Sequence, residues 1–160
     1  MEGPVAEGVV PYPGAYGVTG GESTASLALL AEACGSVGQI EEGLQEIAQA
    51  LAIANRSGGS QWSAELYRLQ GELLLRRSAG AQERGSEPEA CFHQALAIAR
   101  RQQAKSWELR TALSLSRLWQ LQGKRAEAHQ LLAEVYGWFT EGFDTPDVQE
   151  ARALLENLGT

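Results

Sequence analysis

The side chains able to do chemistry are few and lie apart. A metal site or a histidine base needs ligands at a usable spacing, such as HExxH on one helix. His93 and His129 stand far apart in the chain with no such motif, so each is read as a helix-surface or repeat-interface residue. Cys34 and Cys91 lack a CxxC pattern and sit within apolar helical patterns, the setting of reduced, buried thiols in a cytosolic protein. Glu41–Glu42 and Glu87–Glu89 resemble acid–base pairs, yet both fall near helix starts, where the helix dipole already favours acids. GVTGGES (17–23) is glycine-rich ahead of a helix, as a phosphate cradle would be. It has no lysine and no preceding strand, and the chain has no GxxxxGK[ST] or GxSxG, so it is read as a helix-entry loop. No nucleophile, base or metal set emerges, and neither an enzyme nor a cofactor is expected.

The elements that would position these residues belong to a globular chain of 160 residues, with 44% hydrophobic and 21% charged side chains. A formal net charge of −7 disfavours general binding to nucleic acid or to an anionic membrane. No apolar run is long enough to span a bilayer, and MEGPVAEGVVPYPGAYG lacks the basic start of a signal peptide, so a cytoplasmic location is expected. Residues 1–22, with Pro4, Pro11, Pro13 and many glycines, read as a flexible segment able to pack Tyr12 and Tyr16 on the body. Residues 23–160 read as one helical domain.

Apolar residues recur at three- and four-residue steps almost throughout that domain. Leu27, Leu30, Ala31 and Cys34 form one helix face, closed by Gly35 and Gly38. A second helix runs from about Ile40 to Asn55 with Leu44, Ile47, Leu51 and Ala54 inward, and SGGS (57–60) breaks it. A third spans Gln61 to about Arg77, followed by the polar loop 78–88. Ser86, Pro88 and Glu89 start a fourth helix carrying Phe92, Ala95, Leu96 and Ala99. A fifth runs from Lys105 to Gln122 and a sixth from Arg125 to Phe139. Thr145 caps the last, about 146–158, with Pro146 in its first position.

The hexamer QALAIA occurs at 49–54 and again at 94–99. LLAEACGSVGQIEEGLQEIAQAL (29–51) and SLSRLWQLQGKRAEAHQLLAEVY (114–136) share one plan of helix, glycine turn, helix, pairing Gly38 with Gly123 and Gly43 with Ala128. ELYRLQGELL (65–74) and EACFHQALAI (89–98) supply a middle copy. The equivalents of Ala50 are Ala95 and Val135, steps of 45 and 40, the range of stacked helical hairpins. A hairpin cannot bury its apolar face alone, so its neighbours must cover it.

Tyr67, Gly71, Phe92, Ala95, Gly43, Ile47, Ala50 and Ala128 stand at positions that resemble the tetratricopeptide repeat. The fold this implies is all-α: a right-handed solenoid of about three helical hairpins plus a C-terminal capping helix. The runs AELYRLQGELLL, EACFHQALAIARRQQAKSWELR, LWQLQGKRAEAHQLL and YGWFTEGFDTPDVQEARALL also look like the C-terminal helical-repeat region of large bacterial signalling ATPases. Those proteins often carry a cyclase domain or a winged-helix regulator. This chain would be a fragment or stand-alone relative of that region, without the ATPase or cyclase motifs.

In tetratricopeptide proteins the first helix of each hairpin lines a concave groove. The resemblance places Glu65, Arg68, Glu72, Leu75 and Arg76 there in the second copy, and Arg110, Leu113, Arg117, Gln120 and Leu121 in the third. Arginine forks pair carboxylates bidentately, which suits an acidic peptide segment or the rest of a longer chain. The other reading is a solvated face on which Glu65, Glu72 and the arginines pair among themselves. Trp119, Tyr136, Trp138, Phe139 and Phe143 crowd the end of the chain as a core plug under the last helix, or as a partner surface. The function expected is a non-catalytic protein–protein interaction module. The alternatives are a small-molecule-sensing scaffold and a self-associating one that forms a homodimer.

Overall fold

The computed structural model describes residues 24–77 and 86–160. The segment 1–22, the GVTGGES stretch and most of the polar loop after Arg77 lie outside the described residues. Among the described residues every regular element is a helix: α1 (Thr24–Ser36), α2 (Ile40–Arg56), α3 (Ser63–Arg77), α4 (Ser86–Arg101), α5 (Lys105–Leu121), α6 (Arg125–Tyr136) and α7 (Pro146–Gly159). The all-α class expected from the periodicity is therefore the class observed.

One hydrogen-bonded stop ends four of these helices. The N–H groups of Gln39, Gly59, Ala104 and Lys124 donate to the carbonyls of Cys34, Ala54, Ala99 and Trp119, five residues back, at 2.8–2.9 Å. This closure needs a left-handed residue just before the donor. Gly38, Gly58 and Gly123 supply it at φ +83°, +81° and +81°. After α4 the residue is Gln103, at φ +55°. Three of the four turns are thus announced by glycine, and the fourth is made by a side chain that pays a steric penalty.

Other boundaries differ from the periodic reading for local reasons. Helix α3 begins at Ser63 rather than Gln61, because Ser60 and Ser63 hold a turn through Ser60 N–H to Ser63 Oγ (3.3 Å) and Trp62 N–H to Ser60 Oγ (3.1 Å). Helix α6 stops at Tyr136 rather than Phe139, since Trp138 and Phe139 donate to carbonyls three residues back, those of Val135 and Tyr136. Thr145 does precede Pro146 at the start of α7 with extended backbone (φ −72°, ψ 146°), but it makes no side-chain cap. Its hydroxyl donates instead to the Gly142 carbonyl at 2.9 Å.

Each helix packs on the next in the chain. In addition α1 touches α3, α3 touches α5, and α5 touches α7, whereas among the described residues α2, α4 and α6 do not touch one another. Close approach within each pair is set by small residues. A Cβ on Gly71 of α3 would stand 2.6 Å from the ring of Phe92 on α4, and one on Gly43 of α2 would stand 3.2 Å from the Ala31 carbonyl of α1. Ser116 of α5 donates its hydroxyl to the Ala128 carbonyl of α6 at 3.2 Å. The two QALAIA copies bury Ala50 and Ala54, and Ala95, Leu96, Ile98 and Ala99. Ile47, Ala50, Trp62, Leu66, Leu69 and Leu73 join in one core cluster under α1–α3. Leu109, Leu113, Leu132, Val135, Val148 and Ala151 form another at the α5–α6–α7 end.

Gln103 is exposed and lies in the left-handed region, where a non-glycine residue costs about 1–2 kcal/mol. Gln103→Gly is therefore expected to raise the urea midpoint, by a gain of about 1 kcal/mol, without altering far-UV circular dichroism.

Candidate functional site

Helices α3, α5 and α7 carry a continuous ladder of polar and charged groups. Glu65, Arg68 and Glu72 recur along one side of α3 at steps of three and four. Arg68 donates to Glu65 through Nε (2.9 Å) and Nη2 (2.6 Å). Its Nη1 lies 3.7 Å from Glu72 and donates to Ser114 Oγ of α5 at 3.4 Å. The Ser114 hydroxyl in turn donates to Glu72 at 2.7 Å. Glu65 accepts a second arginine, Arg110 of α5, at 3.3 Å. Arg110 also donates to Asp147 of α7 through Nε (3.2 Å) and Nη2 (3.0 Å). Arg117 pairs with Glu150, and Gln120 donates to Asn157 at 2.7 Å, so three rungs join α5 to α7. Arg125, at the start of α6, closes the ladder by donating to the Asn157 carbonyl at 2.6 Å, at the carbonyl end of α7.

Much of this ladder is buried. Glu65 is 3% exposed and Arg68 9%. Burial works against the Arg68 charge, but the hydrogen bonds and charge of Glu65, helped by Glu72, outweigh it and hold the guanidinium pKa above its ordinary value. Both groups have their hydrogen bonds satisfied inside the fold.

Of the ten residues expected to line a groove, Glu65 and Gln120 are rungs of this ladder, and the other eight divide. Arg68 and Glu72 lie within the α3–α5 network, and Arg110 bridges α3, α5 and α7. Leu113, at 1% exposure, belongs to the core seam with Val148 and Ala151. Leu75 packs partly buried against Phe92, Leu115 and Leu118. Arg76 and Leu121 face outward, Leu121 at 73% exposure, and Arg117 is half-exposed beside Glu150. The pairing of Glu65 and Glu72 with the arginines, weighed from sequence as a solvated face, is present but buried at its centre. The α7 acceptors Asp147, Glu150 and Asn157 were not foreseen. Their offsets from the α5 donors are 37 for Asp147 and Asn157 but 33 for Glu150, so no single sequence spacing announced them.

A second polar cluster joins α4, α5 and the turn before α6. The Trp119 indole N–H donates to Glu89 at 2.9 Å, His93 Nε2 lies 3.5 Å from the same carboxylate, and Lys124 lies 3.9 Å away. Burial tends to raise the Glu89 pKa. The indole bond, the Lys124 charge and the bonds from His93 and Gln122 outweigh it and hold the carboxyl below its ordinary 4.5. Besides Glu65, a second buried acid, Glu108, lies 3.2 Å from Lys105 and 3.6 Å from Arg100. Beside it Trp107 packs on Trp62, ring centres 5.5 Å apart; this pair also escaped the sequence reading. Thr111 Oγ1 is buried without a hydrogen-bond partner among the described residues.

The terminal aromatics do not form one plug. Tyr136 and Phe139 pack on the α5–α6–α7 core, while Trp119 belongs to the Phe92–Leu115–Leu118 cluster. Trp138 and Phe143 stay 57% and 49% exposed. Phe143, Tyr136 and Val148 line a surface hollow of about 390 Å³ against the outer side of α7. Cys34 is buried and Cys91 partly so, both as free thiols. The Cys91 thiol donates to Gln70 at 3.4 Å, and burial followed by the Glu87 charge pushes its pKa up. No helix among the described residues is long and apolar enough to cross a membrane.

Compared with known proteins, the chain matches no family model, no curated protein and no solved structure.

Breaking a buried ion pair strands its partner, at a cost of about 3–5 kcal/mol, whereas exposed pairs contribute about 0–1 kcal/mol. Glu65→Gln is accordingly expected to lower the unfolding free energy in urea by about 3 kcal/mol, and Arg117→Ala by less than about 1. For Glu89, a depressed folded pKa means stability that is complete above 4.5 and lost as pH falls through the lower folded value. Glu89→Gln should melt below wild type at neutral pH, with the difference shrinking only once pH drops under 4.5.

Proposed function

We propose that this chain is a non-catalytic interaction module, a tetratricopeptide-like solenoid of three hairpins, α1–α2, α3–α4 and α5–α6, ended by α7. The observation that carries this reading is the order of contacts: each helix meets its successor, odd helices meet odd helices, and even helices do not meet one another among the described residues. Small residues at Gly43, Gly71 and Ser116 where the helices of a hairpin cross support it further. In such a stack the odd helices form a shared face, and the ladder described above runs along them.

On this reading the partner is a protein or peptide segment with acidic character. The outward groups Arg76, Arg117 and Leu121 meet it, while Arg68, Glu72, Leu75, Arg110 and Leu113 hold the face in shape. The further proposal, that the module serves a cytoplasmic bacterial signalling or transcription-regulating ATPase, rests on the resemblance of the quoted runs alone.

The test is a paired capture from lysate read by mass spectrometry, with wild type beside Arg76→Glu/Arg117→Glu/Leu121→Asp. Arg76 and Leu121 are exposed and the Arg117 side chain is 42% exposed beside Glu150, so helicity should be retained and the melting temperature should fall only slightly. Loss of a specific partner from the variant alone supports the reading. Equal retention by both proteins places binding elsewhere and overturns the assignment of this face.

A further inference from the structure

Three hairpins bring a small residue of the first helix against the second: Ala31 on α1, Gly71 on α3 and Ser116 on α5. Two of the three rungs between α5 and α7, Arg110–Asp147 and Gln120–Asn157, stand 37 residues apart, and the third, Arg117–Glu150, stands 33 apart, one helical turn less. The offset of 37 carries Ser116 to Ala153. Ala153 has no helix opposite it; it lines the open hollow beside α7. By the 37-residue offset, and on the repeat reading above, α7 stands in the place of a first helix of a hairpin.

The open face has a definite charge pattern. Around Ala153 stand Arg152 and Glu156, with Gln149 one turn back. Their side chains are 73% and 70% exposed and meet each other at 3.3 Å. At the 37-residue offset the α5 equivalents of Arg152 and Glu156 are Leu115, which is buried, and Trp119, which is partly buried against the same cluster. A face that continued the stack would be apolar there. Instead it carries one cation and one anion, four residues apart, which makes it complementary to itself. A two-fold axis crossing α7 level with residue 154 sets two such helices antiparallel. Arg152 of each then lies opposite Glu156 of the other, while the small Ala153 lets the backbones approach.

We propose that the open face of α7 is a homodimer interface, occupied by α7 of a second copy of this chain. The ion pair within each α7 is exchanged for two pairs between copies. Phe143, half-exposed at the hollow, supplies apolar area at the rim. One helix face buries less than the roughly 800 Å² per partner of a standard interface, so the dimer is weak and concentration-dependent.

Sedimentation equilibrium on the full chain, from low to high micromolar loading, tests this. Wild type should rise from 17.2 kDa toward twice that mass. Arg152→Glu alone and Glu156→Arg alone should each stay monomeric, because like charges then face across the axis. An equimolar mixture of the two should associate as wild type does, since both cross-pairs are restored. Ala153→Arg should stay monomeric with unchanged circular dichroism, as the site is exposed. A wild type that remains at 17.2 kDa at every loading overturns the proposal. So does a single charge variant that still dimerises, or a mixture that does not. None of these variants touches Arg76, Arg117 or Leu121, so a failed dimer and a failed partner-binding face are read separately.

Discussion

The Glu65 carboxylate is the constraint around which the molecule is arranged. At 3% exposure it is stable as an anion only if cations reach it, and two do: Arg68 from its own helix and Arg110 from α5. Arg110 reaches Glu65 through one nitrogen while its other edge serves Asp147 of α7. Satisfying one buried acid therefore ties three helices together. Hydrophobic contacts tolerate sliding, whereas a forked guanidinium between two carboxylates does not, so the network sets the axial register that the leucine-rich seam alone would leave loose.

Helix spacing obeys a second rule, that of volume. Gly71 leaves room for the Phe92 ring and Gly43 for the α1 backbone, and Ser116 bonds the α6 backbone directly. The alanines of QALAIA do the same work on the second helices: Ala50, Ala54, Ala95 and Ala99 are fully buried. The hexamer repeats because a recurrent crossing needs a recurrent absence of bulk, flanked by Leu96 and Ile98 in one copy and by Leu51 and Ile53 in the other, which fill the space around it.

What was legible in sequence was local. Glycines at 38, 58 and 123 marked three helix ends, because only a left-handed residue completes that stop. The fourth, at Gln103, carried no such mark, since glutamine there is tolerated rather than preferred. The arginines stood out as a set, but their acceptors did not. Asp147 and Glu150 look like ordinary first-turn acids until α7 is laid on α5. Leu113 and Leu121 read alike from their spacing, and only packing sends one to the core and leaves the other in water. Thr145 has the right type and place for a cap, yet the preceding turn takes its hydroxyl.

The contact order also has a mechanical side. Odd helices are cross-linked by ion pairs and hydrogen bonds from α3 through α5 to α7, while α2, α4 and α6 stand apart from one another among the described residues. A body built this way has a stiff spine along one edge and a compliant edge opposite. Bending that fans the even helices breaks no contact between them, whereas bending that opens the odd side must pull buried charges apart. Its elastic response is therefore one-sided, closer to a hinged fan than to a rod.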